Sequence, residues 1–240
     1  MVILGKLMII IFIVFLFLFF FFMYKLTKSN LISEHEINVE NLPIGIQGQK
    51  ILWITNPMNI MQMNELESEF RNSNTIVIIA GNLAHYHTKL DKLAKCINLL
   101  SEIGPVHYIW NDKDYSSKFR EINAFLLDNR VTIIENTAAN YESSDGSRFS
   151  VVGLDDVKNH RDQLHLAVQD CQSDSYQIVV SYDEKSETDT SLFKSIPLYL
   201  FQHENSSSTR NDCTNYFAIE QLNKKTSKNK VGYLLKIISA

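Results

Sequence analysis

Residues 7–24 read LMIIIFIVFLFLFFFFMY, a stretch of 18 residues without a charge. As a helix it would be about 27 Å long, close to the thickness of a bilayer's hydrocarbon core. A helix that is apolar on every face needs burial on every side. A cleaved secretory signal is the rival reading. The stretch is longer than a usual signal core, and TKSNLISEHE, which follows Tyr24, carries no A-x-A-like cleavage pattern. The expectation is therefore an uncleaved, single-pass membrane anchor within residues 1–28. Lys6 and the α-amine flank one side of it, Lys25 and Lys28 the other, so the flanking charge selects no orientation. The side of the membrane that holds the rest stays open. Residues 29–48 read as a polar tether, and residues 49–240 as the domain.

Charge separates the two parts. Residues 1–28 carry three Lys and no acid, whereas the whole chain of 240 residues has a formal charge of −4. The remainder is thus at −7; the chain's net charge of −4 argues against nucleic acid as a partner, because neutralising phosphates needs clustered Lys and Arg. Hydrophobic residues at 45% and charged ones at 21% describe a globular chain. Cys96, Cys171 and Cys213 have no CxxC spacing, which excludes a zinc ribbon and a disulfide framework and leaves one long-range disulfide open.

Along the domain, two hydrophobic periods alternate. Short apolar runs predict buried strands at Lys50–Thr55, Thr75–Ala80, Val106–Trp110, Val131–Ile134, Arg148–Leu154, Gln177–Ser181 and Leu198–Phe201. Alternating residues predict closing strands at Thr214–Glu220 and Gly232–Ser239. Helical spacing covers Met63–Asn72, Thr88–Ile103, Ser117–Asp128 and Gln163–Cys171. Strand–helix–strand order in the first half favours parallel pairing. The fold class expected is α/β, a sandwich of mixed sheets flanked by helices. In such folds functional groups sit on loops at the carboxyl ends of strands. Those loops begin with Asn56-Pro57-Met58, Gly81-Asn82, Asn111-Asp112-Lys113-Asp114, Tyr182-Asp183 and Gln202-His203-Glu204-Asn205.

In order and spacing, KILWITNPM, TIVIIAGNLAH, PVHYIWNDKDY, VVGLDD, VVSYDE and LYLFQHENS resemble the successive blocks of the calcineurin-like metallophosphoesterases, particularly their membrane-anchored bacterial branch. The resemblance runs from about Lys50 to the C-terminus. It implies a metallophosphoesterase-like sandwich and, in the family, two divalent ions held by Asp, His and Asn that activate a water and clamp phosphoryl oxygens. Carried over residue by residue, most ligand positions are substituted. Asn56 stands for the first Asp, Met58 for the first His, Asn82 for the bridging Asp and Tyr182 for the lone His. His203 and Asn205 stand for the last His pair, Asp112 for the Asn of the third block and Lys113 for its His. Only His203 is an unchanged ligand, and Asp112 is a plausible new one. The glycines expected beside them are Asn111, Gln202 and Ser206.

Two divalent ions about 3.5–4 Å apart need anionic ligands to offset their repulsion. One carboxylate, beside the cation Lys113, does not supply that. The resemblance therefore implies a degenerate, membrane-anchored member with no catalytic residues and no expected cofactor. Its role would be binding a partner protein or a phosphorylated ligand. The alternative is a hydrolase with a rebuilt site, in which Asp112, Asp114, His85 and His203 hold one divalent metal (Mn, Fe or Mg). A purely structural anchor domain is a third reading. Bland readings stand beside the sharper ones. His85 and His87 read as solvent-exposed loop residues, Asp155-Asp156 as a turn, and Asp112 and Asp114 as surface partners of Lys113. The run from Ser206 to Ser208 reads as a loop. Lys224, Lys225, Lys228 and Lys230 read as a solvated hairpin, with contact to anionic lipid as the sharper alternative.

Overall fold

The computed structural model describes residues 12–19, 32–55, 57–58, 60–115, 118–184, 192, 195–202, 216–219 and 232–240. The chain divides into two units, Met1–Leu31 and Ile32–Ala240.

In the first unit residues 12–19 are helical (α1). All eight are apolar and exposed, Phe17 to 71%. The rest of the expected anchor lies outside the described residues. Among the described residues no helix is long and apolar enough to cross a membrane.

The second unit is α/β, with two mixed sheets flanked by helices. The first sheet has the order β1-β11-β2-β3-β4-β5. Its strands are β1 (Ile32–Val39), β2 (Lys50–Ile54), β3 (Thr75–Ala80), β4 (Val106–Ile109), β5 (Thr132–Ile133) and β11 (Gly232–Ser239). Strands β2 to β5 run parallel, as strand–helix alternation predicts, and β11 is antiparallel to β2. The second sheet has the order β10-β9-β8-β7-β6. It comprises β6 (Thr137–Glu142), β7 (Arg148–Gly153), β8 (Tyr176–Ser181), β9 (Leu198–Phe201) and β10 (Tyr216–Ala218). Only β6 runs against its neighbour.

The period-2 geometry of strands sends alternate residues to opposite faces, and the buried residues sort accordingly. Ile51, Trp53, Ile76 and Ile78 of the first sheet meet Val151, Ile178, Val180 and Leu200 of the second in one central core. The other face of the first sheet, with Leu52, Val77 and Ile79, is covered by α2 (Ile60–Phe70), α3 (Leu90–Ser101) and α4 (Phe119–Asp128). The outer face of the second sheet packs Val152, Val179 and Tyr199 against the short helix α5 (Leu164–Ala167). The order of layers is helix, sheet, sheet, helix.

Two strands differ from the expectation. Ile32–Val39, assigned to the tether, is a strand that pairs in parallel with β11 along its whole length, from Ile32↔Gly232 to Val39↔Ser239. It sits at the sheet's margin, so only Ile37 and Val39 are buried and Glu34 and Glu36 face solvent. That half-polar pattern is what made it read as a tether. β6 was not anticipated either; TAANYE is also a margin strand and none of its residues is fully buried.

The two sheets run the same way. Trp53 at the end of β2 hydrogen-bonds Gln202 just after β9, and Tyr115 after β4 bonds Asp155 after β7. At the opposite edge, Gly45, ahead of β2, lies so close to Asp145, ahead of β7, that a Cβ on it would meet the carboxylate at 1.9 Å. The carboxyl ends of both parallel runs therefore share one edge, here called the loop edge.

Candidate functional site

The centre of the loop edge is a buried carboxylate. Asp114 is fully buried. One of its oxygens, Oδ2, accepts from the backbone N–H of Asn82 at 2.8 Å, the Tyr108 hydroxyl at 2.6 Å and the N–H of Asn111 at 3.2 Å. Oδ1 accepts from the N–H of Ala84 at 3.1 Å. Burial pushes the Asp114 pKa up, while the Tyr108 hydroxyl and these N–H groups hold against that shift. The carboxylate joins the loop after β3 to the loop after β4.

The backbone is shaped to allow this. Gly81 and Asn82 both take left-handed conformations, with φ of 57° and 64°. A Cβ on Gly81 would lie 2.7 Å from the Asn111 side chain, so glycine is required there on both counts. Asn111 is itself fully buried. Its Oδ1 accepts from the N–H groups of Lys113 and Asp114 at 3.0 and 3.1 Å, fixing the turn. Where the resemblance expects a small glycine, a side chain has been built into the wall.

The described residues that the resemblance places at ligand positions are engaged elsewhere. Met58 is half-buried and packs against the core under the helices. Asn82 offers its backbone N–H to Asp114. Tyr182 is buried in the central core between the sheets. Gln202, another expected glycine, is buried and accepts from the Trp53 indole at 3.1 Å across the sheets. Asp112 pairs with Lys158, whose side chain is largely exposed. Asn56, His203 and Asn205 lie outside the described residues, as do Ser206 to Ser208, Cys213 and the lysines from Lys224 to Lys230.

The proposed rebuilt site is not assembled by its described members. Asp114 is committed to the backbone and Asp112 to Lys158. His85 is exposed on a 3-10 helix (Ala84–Lys89) with its ring edge-on to Tyr86. His87 places Nδ1 3.0 Å from the Ala84 carbonyl. Among the described residues no group of three His, Cys, Asp or Glu side chains converges to hold a metal ion. Among the described residues, the side chains that the resemblance places at ligand positions are not the Asp and His donors that hold two divalent ions. They are the Met58 thioether packed against the core, the Asn82 amide, the buried Tyr182 phenol and the Asp112 carboxylate paired with Lys158.

Two readings of acidic residues need correction. Asp114 is no surface partner of Lys113, because burial and four donors fix it inward. Asp155 and Asp156 are not themselves the expected turn; they precede the turn at residues 157–160, and both are buried. Asp155 accepts from the Tyr115 hydroxyl and, at 2.8 Å, from Arg161 Nε. The Arg161 guanidinium also lies 4.0 Å above the Tyr115 ring. Asp156 accepts from the N–H and the side-chain amide of Asn159. This second cluster ties the loop after β4 to the loop after β7. Sequence reasoning missed it because Tyr115 lies 40 residues before Asp155 in the chain.

Comparison of the chain with protein-family models, with curated proteins and with solved structures finds no match in any of the three.

Proposed function

We propose that this chain is a membrane-anchored, catalytically degenerate relative of the calcineurin-like metallophosphoesterases that acts by binding rather than by hydrolysis. The observation that carries the reading is Asp114. A carboxylate at the meeting point of the ligand loops accepts four hydrogen bonds from the protein's own N–H and hydroxyl groups. Tyr182 and Gln202 extend the same trend, since both fill space between the sheets. The layered α/β architecture and the co-directional sheets are compatible with a metallophosphoesterase-like sandwich. The apolar, exposed helix at residues 12–19 supports the anchor within residues 7–24.

A binding role leaves the loop edge as the working surface, with a partner protein or a phosphorylated ligand as occupant. The test is turnover. Full-length protein in detergent is assayed on phosphomonoester and phosphodiester substrates with Mn²⁺, Fe²⁺ or Mg²⁺ in turn. The reading expects no hydrolysis above the metal-only blank. Hydrolysis that disappears on changing Asp112 or His203 to Ala would instead establish the rebuilt hydrolase.

A further inference from the structure

We propose that the free edge of β1 is a docking site for an extended, basic segment of a partner protein, which adds to the first sheet as a further strand. The site is separate from the loop edge and does not depend on the resemblance. A bare strand edge offers unpaired N–H and C=O groups to any other chain, so folded proteins keep such edges short or covered. Three of the four sheet margins follow that rule. β5 has two residues and β10 three. β6 is fenced by the segment after α5: Thr137 donates to Asp170, and Asn140 donates to the Asp170 carbonyl and accepts from the N–H of Gln172. β1 has eight residues and, among the described strands, β11 alone as a neighbour.

The hydrogen-bond phase fixes which groups face outward. The Val39 carbonyl accepts from the N–H of Ala240 at 3.1 Å. In a parallel pair, alternate residues of a strand carry the bonds to one neighbour. Ser33, His35, Ile37 and Val39 therefore bond β11, and the N–H and C=O groups of Glu34, Glu36 and Asn38 point away from the sheet. No described residue bonds these outward groups. The side chains of Glu34, Glu36 and Asn38 are exposed and share the face that carries Lys236, while Ile37 and Val39 are buried in the central core on the other face.

Charge selects the occupant. The segment Ile32–Glu40 holds Glu34, Glu36 and Glu40 and neither Lys nor Arg. Lys236 pairs with Glu36 at 2.9 Å, and both side chains stay exposed. A second copy would pair with β1 antiparallel, about a two-fold axis. Registers centred on residue 34, 35 or 36 set Glu34 or Glu36 opposite another carboxylate, and like charges directly opposite destabilise a sheet. A segment with Lys or Arg two residues apart instead sets a cation opposite each of Glu34 and Glu36, which stabilises it. The backbone bonds supply binding and the two carboxylates choose the partner.

The test uses the full chain in detergent, with a fluorescent octapeptide of alternating Lys and Val as the probe. The proposal expects saturable binding by anisotropy, none for an octapeptide of alternating Glu and Val, and slowed amide hydrogen exchange at residues 32–39 when the Lys peptide is bound. Asn38→Pro removes one outward N–H and leaves both acids and the bonds to β11 in place. It should weaken binding by about tenfold, and Glu34→Lys several-fold, with circular dichroism confirming that each variant is folded. If Asn38→Pro does not fold, hydrogen exchange and Glu34→Lys decide. The proposal is overturned by an absence of saturable binding, by binding that leaves exchange at residues 32–39 unchanged, or by binding that a folded Asn38→Pro retains in full. A dimer of the full chain in sedimentation, dissociated by Asn38→Pro, would make a second copy the occupant and overturn it as well. The turnover assay above is independent of all these outcomes.

Discussion

The side chain of Asp114 accepts a 2.8 Å hydrogen bond from the backbone N–H of Asn82, 32 residues earlier in the chain. The carboxylate joins the loop after β3 to the loop after β4. Replacing it tests that role. Asp114→Ala leaves the N–H groups of Asn82, Ala84 and Asn111 and the Tyr108 hydroxyl without their acceptor, and should cost about 3 kcal/mol or more. Asp114→Asn keeps one carbonyl oxygen but turns an amide N–H toward donors, and should cost about 2 kcal/mol. Urea denaturation reads both. A change below about 0.5 kcal/mol for the alanine variant would contradict the structural role.

Gln202 gives a second prediction. Gln202→Ala removes the acceptor of the buried Trp53 indole and should destabilise by about 1–3 kcal/mol. In a double-mutant cycle with Trp53→Phe the two losses should fall short of additivity, because they break the same bond. Additive losses would show that the bond contributes nothing.

Gly81→Ala offers a third. The left-handed φ and the 2.7 Å approach to Asn111 both oppose a Cβ. The expected cost is about 1–3 kcal/mol, read as a lowered urea midpoint. Pairing it with Asn111→Gly should recover the part due to the clash and leave the part due to backbone conformation.

Much of this frame is legible in the sequence, because it rests on hydrophobic period. The runs KILWI, TIVIIA and LYLF become strands at their expected places, and the amphipathic stripe of Leu93, Ile97 and Leu100 faces the first sheet. β1 and β6 escaped because margin strands bury one side weakly, so their sequences carry polar residues. At the site, the resemblance singles out positions along the chain but not the partners that their side chains meet. Tyr182 as core, Gln202 as a cross-sheet clasp and Asp114 as an internal acceptor all depend on partners from other strands and loops. Spacing along the chain does not contain those pairings.

Acid sensitivity yields a fourth prediction. His107 on β4 is buried and touches the Tyr141 hydroxyl of β6 through Nε2. Its Nδ1 has no hydrogen-bond partner among the described residues. Burial lowers its pKa to about 4 from the ordinary 6.5. Between those values the unfolded chain binds a proton that the folded chain does not. His107 therefore contributes stability above pH 6.5 that is lost as pH falls toward 4, by about 3 kcal/mol in all. Denaturation curves across that window should show the loss, and His107→Phe should flatten it. An unchanged slope in the variant would assign the acid limb to other groups.

The most direct test of the central claim is the metal content of the full-length protein. The chain is purified in detergent without chelator, equilibrated with Mn²⁺, freed of excess ion and analysed for metal per chain. A degenerate site predicts a value near zero that does not change in Asp112→Ala or His203→Ala. A tightly held stoichiometric ion, lost in either variant, would contradict the account and make this chain a metal-dependent hydrolase with a rebuilt centre.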